Sequence, residues 1–274
     1  MNNLPNVITE LPTVIEHLSA ESAQIDALVA DLEPADWARQ TPAPGWTVAH
    51  QVAHLCFVFR LAGTAASDAD AFAAMTAKAS EDFDGAVNAV LAAYPLDDPE
   101  KLLARWRADR DFAVEALAAA PADQPLPWLV RPIPPGVLAC AGMMEVLAHG
   151  QDIADALGVT PERTDRIGNV VGFAVLTWEF GYQSRGLTPP DTEFRYELVA
   201  PSGRKWEFGP AEAEQRITGE AADFCLLVTR RRHRDDLAVS AVGADADHWL
   251  DIAQAYRGPA GEGREPGQFA TARG

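Results

Sequence analysis

Apolar residues at three- and four-residue steps, interrupted where prolines cluster, fill the first 160 positions and restrict that half of the chain to packed amphipathic helices. Val14, Ile15, Leu18, Ile25, Leu28, Val29 and Leu32 make one stripe over residues 11–32, which Pro34 and TPAPGW (41–46) bring to an end. A second helix can start at Thr47, a residue type that caps helix N-termini, and carries Val48, Val52, Leu55, Phe59 and Leu61. Its Ala-rich continuation reaches about Leu91, with a break expected near residues 64–70. A third helix covers 99–119 through Leu102, Leu103, Trp106, Phe112, Val114 and Leu117. The six prolines of 121–136 force an extended loop, and a fourth helix, 137–157, stops at Gly158. Four such helices over residues 1–160 predict a four-helix bundle.

The pattern then changes. Residues 163–186 read as one more helix, after which FRYELVA and KWEFG alternate with a period of two on either side of the turn PSG. A short strand at 214–219, a helix at 221–230, a strand at 237–243 and a helix at 245–256 complete a small α+β domain over 161–257. The Gly-rich end, 258–274, reads as a disordered tail. The expected fold class is therefore α+β, with a helical bundle first and a small mixed domain second.

Charge and composition narrow the partners. Forty acidic residues against 22 basic ones give a net charge of −18, which repels phosphate backbones and anionic headgroups, so neither nucleic acid nor membrane is expected as a partner. No apolar run approaches the ~20 residues that span a bilayer. The N-terminus lacks the charged and apolar regions of a signal peptide, and Cys56, Cys140 and Cys225 are too few and scattered for a disulfide framework. A cytoplasmic location with a small-molecule substrate is the expectation. Gly-rich phosphate loops and the serine-hydrolase elbow have no match in the chain.

What remains is a set of metal-binding side chains. Glu145, His149 and Asp152 stand at i, i+4 and i+7, on one face of the fourth helix. His50 and His54 share one face of the second. A Glu–His pair at this spacing is common on solvated helices, and a buried histidine bonded to a neighbour needs no metal. Here, however, both histidine segments are apolar, where an unpaired ring is costly. Brought together, the two faces offer imidazole and carboxylate groups suited to zinc or a related divalent ion. Three ligands leave room for substrate; a fourth from His50 would close the site and make it structural. Cys56, two residues from His54, points away and reads as an inert buried thiol. Trp106, Trp178 and Trp249 fall on helix stripes and read as core, whereas Trp46 and Trp128 flank the metal-bearing helices. Residues 230–234, RRRHR, reverse the acidic trend, either to clamp a carboxylate or to end a helix favourably.

PGWTVAHQVAHL (44–55) resembles the PGWT-x-x-D-x-x-x-HL signature of the DinB-like metal-binding bundles, in particular the mycothiol-dependent maleylpyruvate isomerase N-terminal domain. The segment from Met144 to Gly158 is similar to that family's E-x-x-x-H-x-x-D and A-L-G pattern. The resemblance implies a divalent metal, zinc first, on His54, Glu145 and His149, with Asp152 orienting His149. It also implies a mycothiol-dependent isomerase or S-transferase acting on a small electrophilic, carboxylate-bearing substrate in the cleft between two domains. Residues 216–236 resemble the family's sterol-carrier-like second domain and place its catalytic arginine at Arg231. Two departures stand out: His50 occupies the place of the signature aspartate, and the arginine run blurs the register at Arg231 by one. His50 is expected at the helix start rather than on the metal. The chain looks closer still to an uncharacterised actinobacterial-type branch. The other class of function is a non-catalytic protein that binds metal or a small apolar ligand. A label for wyosine base formation in transfer RNA, which some relatives carry, finds no support in the residues.

Overall fold

The computed structural model describes residues 10–77, 83–129 and 131–269. Residues 10–161 form one compact unit and 162–269 a second.

The first unit is built on four long helices. These are α1 (Leu11–Val29), α3 (Val48–Ser67), α6 (Pro99–Ala119) and α7 (Pro135–Leu157). Short helices α2 (Pro34–Trp37), α4 (Ala69–Thr76) and α5 (Phe83–Leu91) fill the connections. Each long helix packs on two neighbours, α1 and α3 both contacting α6 and α7. The stripes read from sequence are the buried ones: Val14, Leu18, Ile25 and Val29 of α1, Val52, Leu55 and Phe59 of α3, Leu102, Trp106 and Leu117 of α6. The expected break after α3 falls at Asp68, whose carboxylate caps α4 by accepting from the Ala71 N–H. Gly158 ends α7 in the left-handed conformation (φ 71°), which costs a glycine little.

The second unit carries a four-stranded sheet. Its strands are β1 (Phe194–Val199), β2 (Lys205–Phe208), β3 (Gln215–Glu220) and β4 (Val239–Val242), in the order β2-β1-β3-β4. The central pair β1–β3 is parallel, with Tyr196 opposite Ile217, and the outer pairs are antiparallel. Helices α8 (Gly168–Leu176), α9 (Phe180–Gln183), α10 (Ala221–Val228) and α11 (Ala244–Ile252) accompany it. Phe194, Tyr196, Leu198 and Ile217 point into a core shared with Phe224 and Trp249. Fold class is thus α+β, a helical bundle followed by a small sheet domain.

Two readings change. Residues 163–186 are not one helix but a 3-10 turn followed by α8 and α9. The Trp178 carbonyl, which a continuous helix would use internally, instead accepts from Trp249 Nε1 at 2.9 Å. Beside it the Thr177 hydroxyl bonds back to the Phe173 carbonyl. The bond from Trp249 is tertiary and has no trace in the periodicity. The Gly-rich end, read as a disordered tail, is tied down through residue 269. The Gly267 N–H meets the Asp236 carboxylate at 2.9 Å, and the Arg232 guanidinium lies 4.4 Å from the Phe269 ring centre. Residues 270–274 lie outside the described part.

Candidate metal centre

Helix α3 starts where the sequence places a cap. Thr47 and His50 form a capping box: His50 Nδ1 accepts from the Thr47 N–H at 3.3 Å and lies 2.8 Å from its hydroxyl. One turn further on, His54 leaves the same helix towards α7. Helix α7 presents Glu145 and, one turn later, His149; Gly150 beside it leaves room for the tip of Ile25 on α1.

The three side chains converge. Glu145 Oε2 lies 3.6 Å from His54 Nε2 and 3.2 Å from His149 Nε2, and the two imidazole centres are 4.4 Å apart. All three ligand atoms fall within 4.8 Å of one another, the one such group of three found among the described residues. Donors bound about 2.0–2.1 Å from a tetrahedral zinc stand ~3.3 Å apart, so these separations suit a divalent ion. Burial alone would raise the Glu145 carboxyl. Hydrogen bonds from His149 and His54, and then their attraction, outweigh it and hold the group well below the usual carboxylate range.

Of the other candidates, His50 is spent on the cap and stands outside the cluster, and burial lowers its pKa. Asp152 is fully buried one turn beyond His149. Gln51 of α3 lies on the other side of that ring, its Oε1 2.5 Å from His149 Nδ1. Nδ1 is thus engaged by Gln51 while Nε2 faces Glu145. Nothing in the sequence pattern marks Gln51 except its position one turn before His54. By contrast, Nδ1 of His54 is buried with no hydrogen-bond partner among the described residues. The Trp46 ring covers both imidazoles, centred 5.3 Å from His54 and 6.0 Å from His149, and Phe57 meets His54 edge-on. Trp128 stacks instead on Phe72. Burial pushes the Cys56 thiol pKa up, as expected of an inert group.

In the second unit, α10 ends in a Schellman-type turn with Arg230 left-handed (φ 57°) and the Arg231 N–H bonded to the Leu226 carbonyl. Arg231 also donates from its guanidinium to the Thr229 carbonyl at 2.7 Å, and Arg234 pairs with Asp247 and Asp251.

A helical bundle carrying two histidines and one glutamate in ligand array, followed by a small α+β unit, defines a recognisable class. The chain belongs to the family of the mycothiol maleylpyruvate isomerase N-terminal domain, whose model matches residues 18–154. Residues 190–242 match a second model, described as wyosine base formation. That label, for which the residues alone gave no ground, does attach to this segment. Two uncharacterized proteins of Mycobacterium tuberculosis, from strains CDC 1551 / Oshkosh and H37Rv, are each 44% identical over 250 residues, covering 91% of this chain and 97% of theirs. Among solved structures, the mycothiol-dependent maleylpyruvate isomerase superposes with a TM-score of 0.56 at 16% identity, over 84% of this chain and 92% of that one. A histidine-to-alanine mutant of that enzyme gives 0.53 at 15%. At such identities the likeness establishes the fold. No described helix is long and apolar enough to cross a membrane.

Proposed function

We propose that the chain is a divalent-metal-dependent enzyme that uses a low-molecular-weight thiol, mycothiol by family, to isomerise or transfer sulfur to a small electrophilic, carboxylate-bearing substrate. The observation that carries the proposal is the convergence of His54, Glu145 and His149 on one point. These three residues would hold the ion, zinc first. When bound there, it would supply Lewis acidity that favours the thiolate form of a thiol at neutral pH. Glu145 contributes the negative charge that partly neutralises such a centre. Gln51 holds the His149 ring, and the Trp46 and Phe57 rings keep water from the covered sides of the imidazoles. The thiolate sulfur adds to the electrophilic carbon of the substrate, and the displaced electron pair moves onto the conjugated oxygen. Elimination of the same sulfur after bond rotation gives the isomer; retention of the C–S bond, with a proton taken up from solvent at the enolate carbon, gives the thioether of S-transfer. Arg231 is proposed as the cation that meets the substrate carboxylate, in a cytoplasmic protein. His50 favours the catalytic class over a purely structural site, since its engagement in the helix cap leaves three ligands rather than four.

The test is metal analysis of the purified chain and of His54→Ala, followed by assay of the zinc-loaded protein with mycothiol, bacillithiol or glutathione and conjugated carboxylate electrophiles. Metal in the parent and not in the variant, with thiol-dependent turnover, is expected. Equal metal in both would dismiss the site, and absence of turnover with every thiol would dismiss the reaction.

A further inference from the structure

We infer that Gln51 is a positioning residue that fixes which nitrogen of His149 carries the ring proton. The Trp46 carbonyl can only accept, and Thr41 Oγ1 donates its single hydrogen to it at 2.8 Å. The Gln51 atom facing that hydroxyl must therefore be a donor, which is Nε2, at 2.8 Å. That orientation turns the acceptor Oε1 towards His149, 2.5 Å from Nδ1, so Nδ1 must bear a hydrogen. The polarity of the whole chain of bonds is set by one backbone carbonyl in the loop before α3. Gln51 and Thr41 are both buried, so no competing water is needed to explain their orientation.

The consequence falls on Nε2, 3.2 Å from the Glu145 carboxylate. With a proton at Nδ1, the hydrogen bond from Nε2 to Glu145 needs the doubly protonated ring; in the neutral ring Nε2 presents a bare lone pair to the carboxylate, which is repulsive unless a cation stands between them. His149 is thereby committed to ligation through Nε2. His54, whose Nδ1 has no such partner among the described residues, lacks this device. Loss of a partner of this kind lowers metal affinity by about 10- to 100-fold in characterised sites. The effect on ion affinity rests on the metal site proposed above; the position of the proton does not.

The experiment uses Thr41→Val, which removes the relay without touching the ring, with Thr41→Ser as the conservative rescue and Gln51→Leu as the direct break. Nitrogen-15 spectra of histidine-labelled full-length protein, with and without zinc, read the proton position. The His149 signals are identified by their absence in His149→Gln, and zinc titration gives the affinity. A single Nδ1–H form is expected in the parent and in Thr41→Ser, at a pH where the ring is neutral. In Thr41→Val and Gln51→Leu a mixture is expected, with zinc affinity about 10- to 100-fold weaker. An unchanged tautomer in Thr41→Val overturns the inference, whatever the metal data. A parent that holds the Nδ1–H form yet binds no zinc upholds the relay and defeats the metal site alone.

Discussion

Two polar clusters lie in the same bundle, six residues apart along α3, and they meet the same electrostatic problem differently. In one, Asp109 of α6 is fully buried and faces Arg60 of α3 and Arg105 of its own helix, with Arg105 Nε donating at 2.5 Å. In the other, Glu145 of α7 faces His54 and His149. Guanidinium groups keep their charge at any pH a folded protein meets, so Asp109 is compensated by the chain itself. An imidazole carries charge only when doubly protonated, so Glu145 is compensated only when a proton or a metal ion arrives. One cluster is closed, and the other has the geometry of a possible cation site. The same contrast shows in the aromatic neighbours: Phe112 lies under Arg60, whereas Trp46 covers rings that would otherwise be open to solvent.

The sharpest way to break this contrast is Glu145→Gln, which removes the only carboxylate from the open cluster. Zinc content should fall from about one ion per chain to background, and thiol-dependent turnover should vanish with it. A chelator should lower the thermal midpoint of the parent and leave that of Glu145→Gln unchanged. Retention of zinc by this variant would mean that the two imidazoles alone define the site. Asp109→Asn addresses the closed cluster. It leaves two guanidinium groups without their counter-charge and should cost about 2–3 kcal/mol, less than for a fully buried pair because both arginines reach solvent. Urea unfolding measures the loss, while zinc content should stay at the parental level. A variant that loses zinc as well would show that the two clusters are coupled through α3.

Much of this was readable from the chain, and the reasons for the failures are physical. The long helices of the first unit follow from side-chain periodicity, and Thr47 and Gly158 mark ends because capping is local chemistry. His54, Glu145 and His149 were each visible as ligand-type residues at helical spacing, although only tertiary packing brings residues ninety positions apart to one point. Gln51 was not visible, because an amide that bonds across helices has no periodic signature. The interruption at Thr177 and Trp178 likewise depends on a carbonyl claimed by Trp249, a residue some seventy positions away.

A smaller effect separates His50 from the open cluster. His50→Ala removes the reciprocal half of the capping box and should cost about 1 kcal/mol in unfolding free energy. Zinc affinity should hold. The opposite result, affinity lost with stability unchanged, would return His50 to the metal and close the site.

The smallest effect comes from the exposed counterpart of the Asp109 cluster. Asp26 of α1 accepts two hydrogen bonds from Arg107 of α6, at 2.7 and 2.9 Å. The side-chain hydrogen bond from Arg107, against a burial cost, and its attraction lower the Asp26 pKa below the ordinary value of 3.8. A folded pKa below the unfolded one means that the native state holds fewer protons. The contribution is therefore complete above the unfolded value and disappears as pH falls through the folded one. Asp26→Asn should lower the urea midpoint slightly at pH 7, and the gap from the parent should close below about pH 4. High salt should narrow the same gap at pH 7, since screening reaches an exposed pair more than a buried one. If the gap persisted unchanged into acid, the Asp26 contribution would be packing and not charge. The distinction between compensation at the surface and compensation in the core would then need another example.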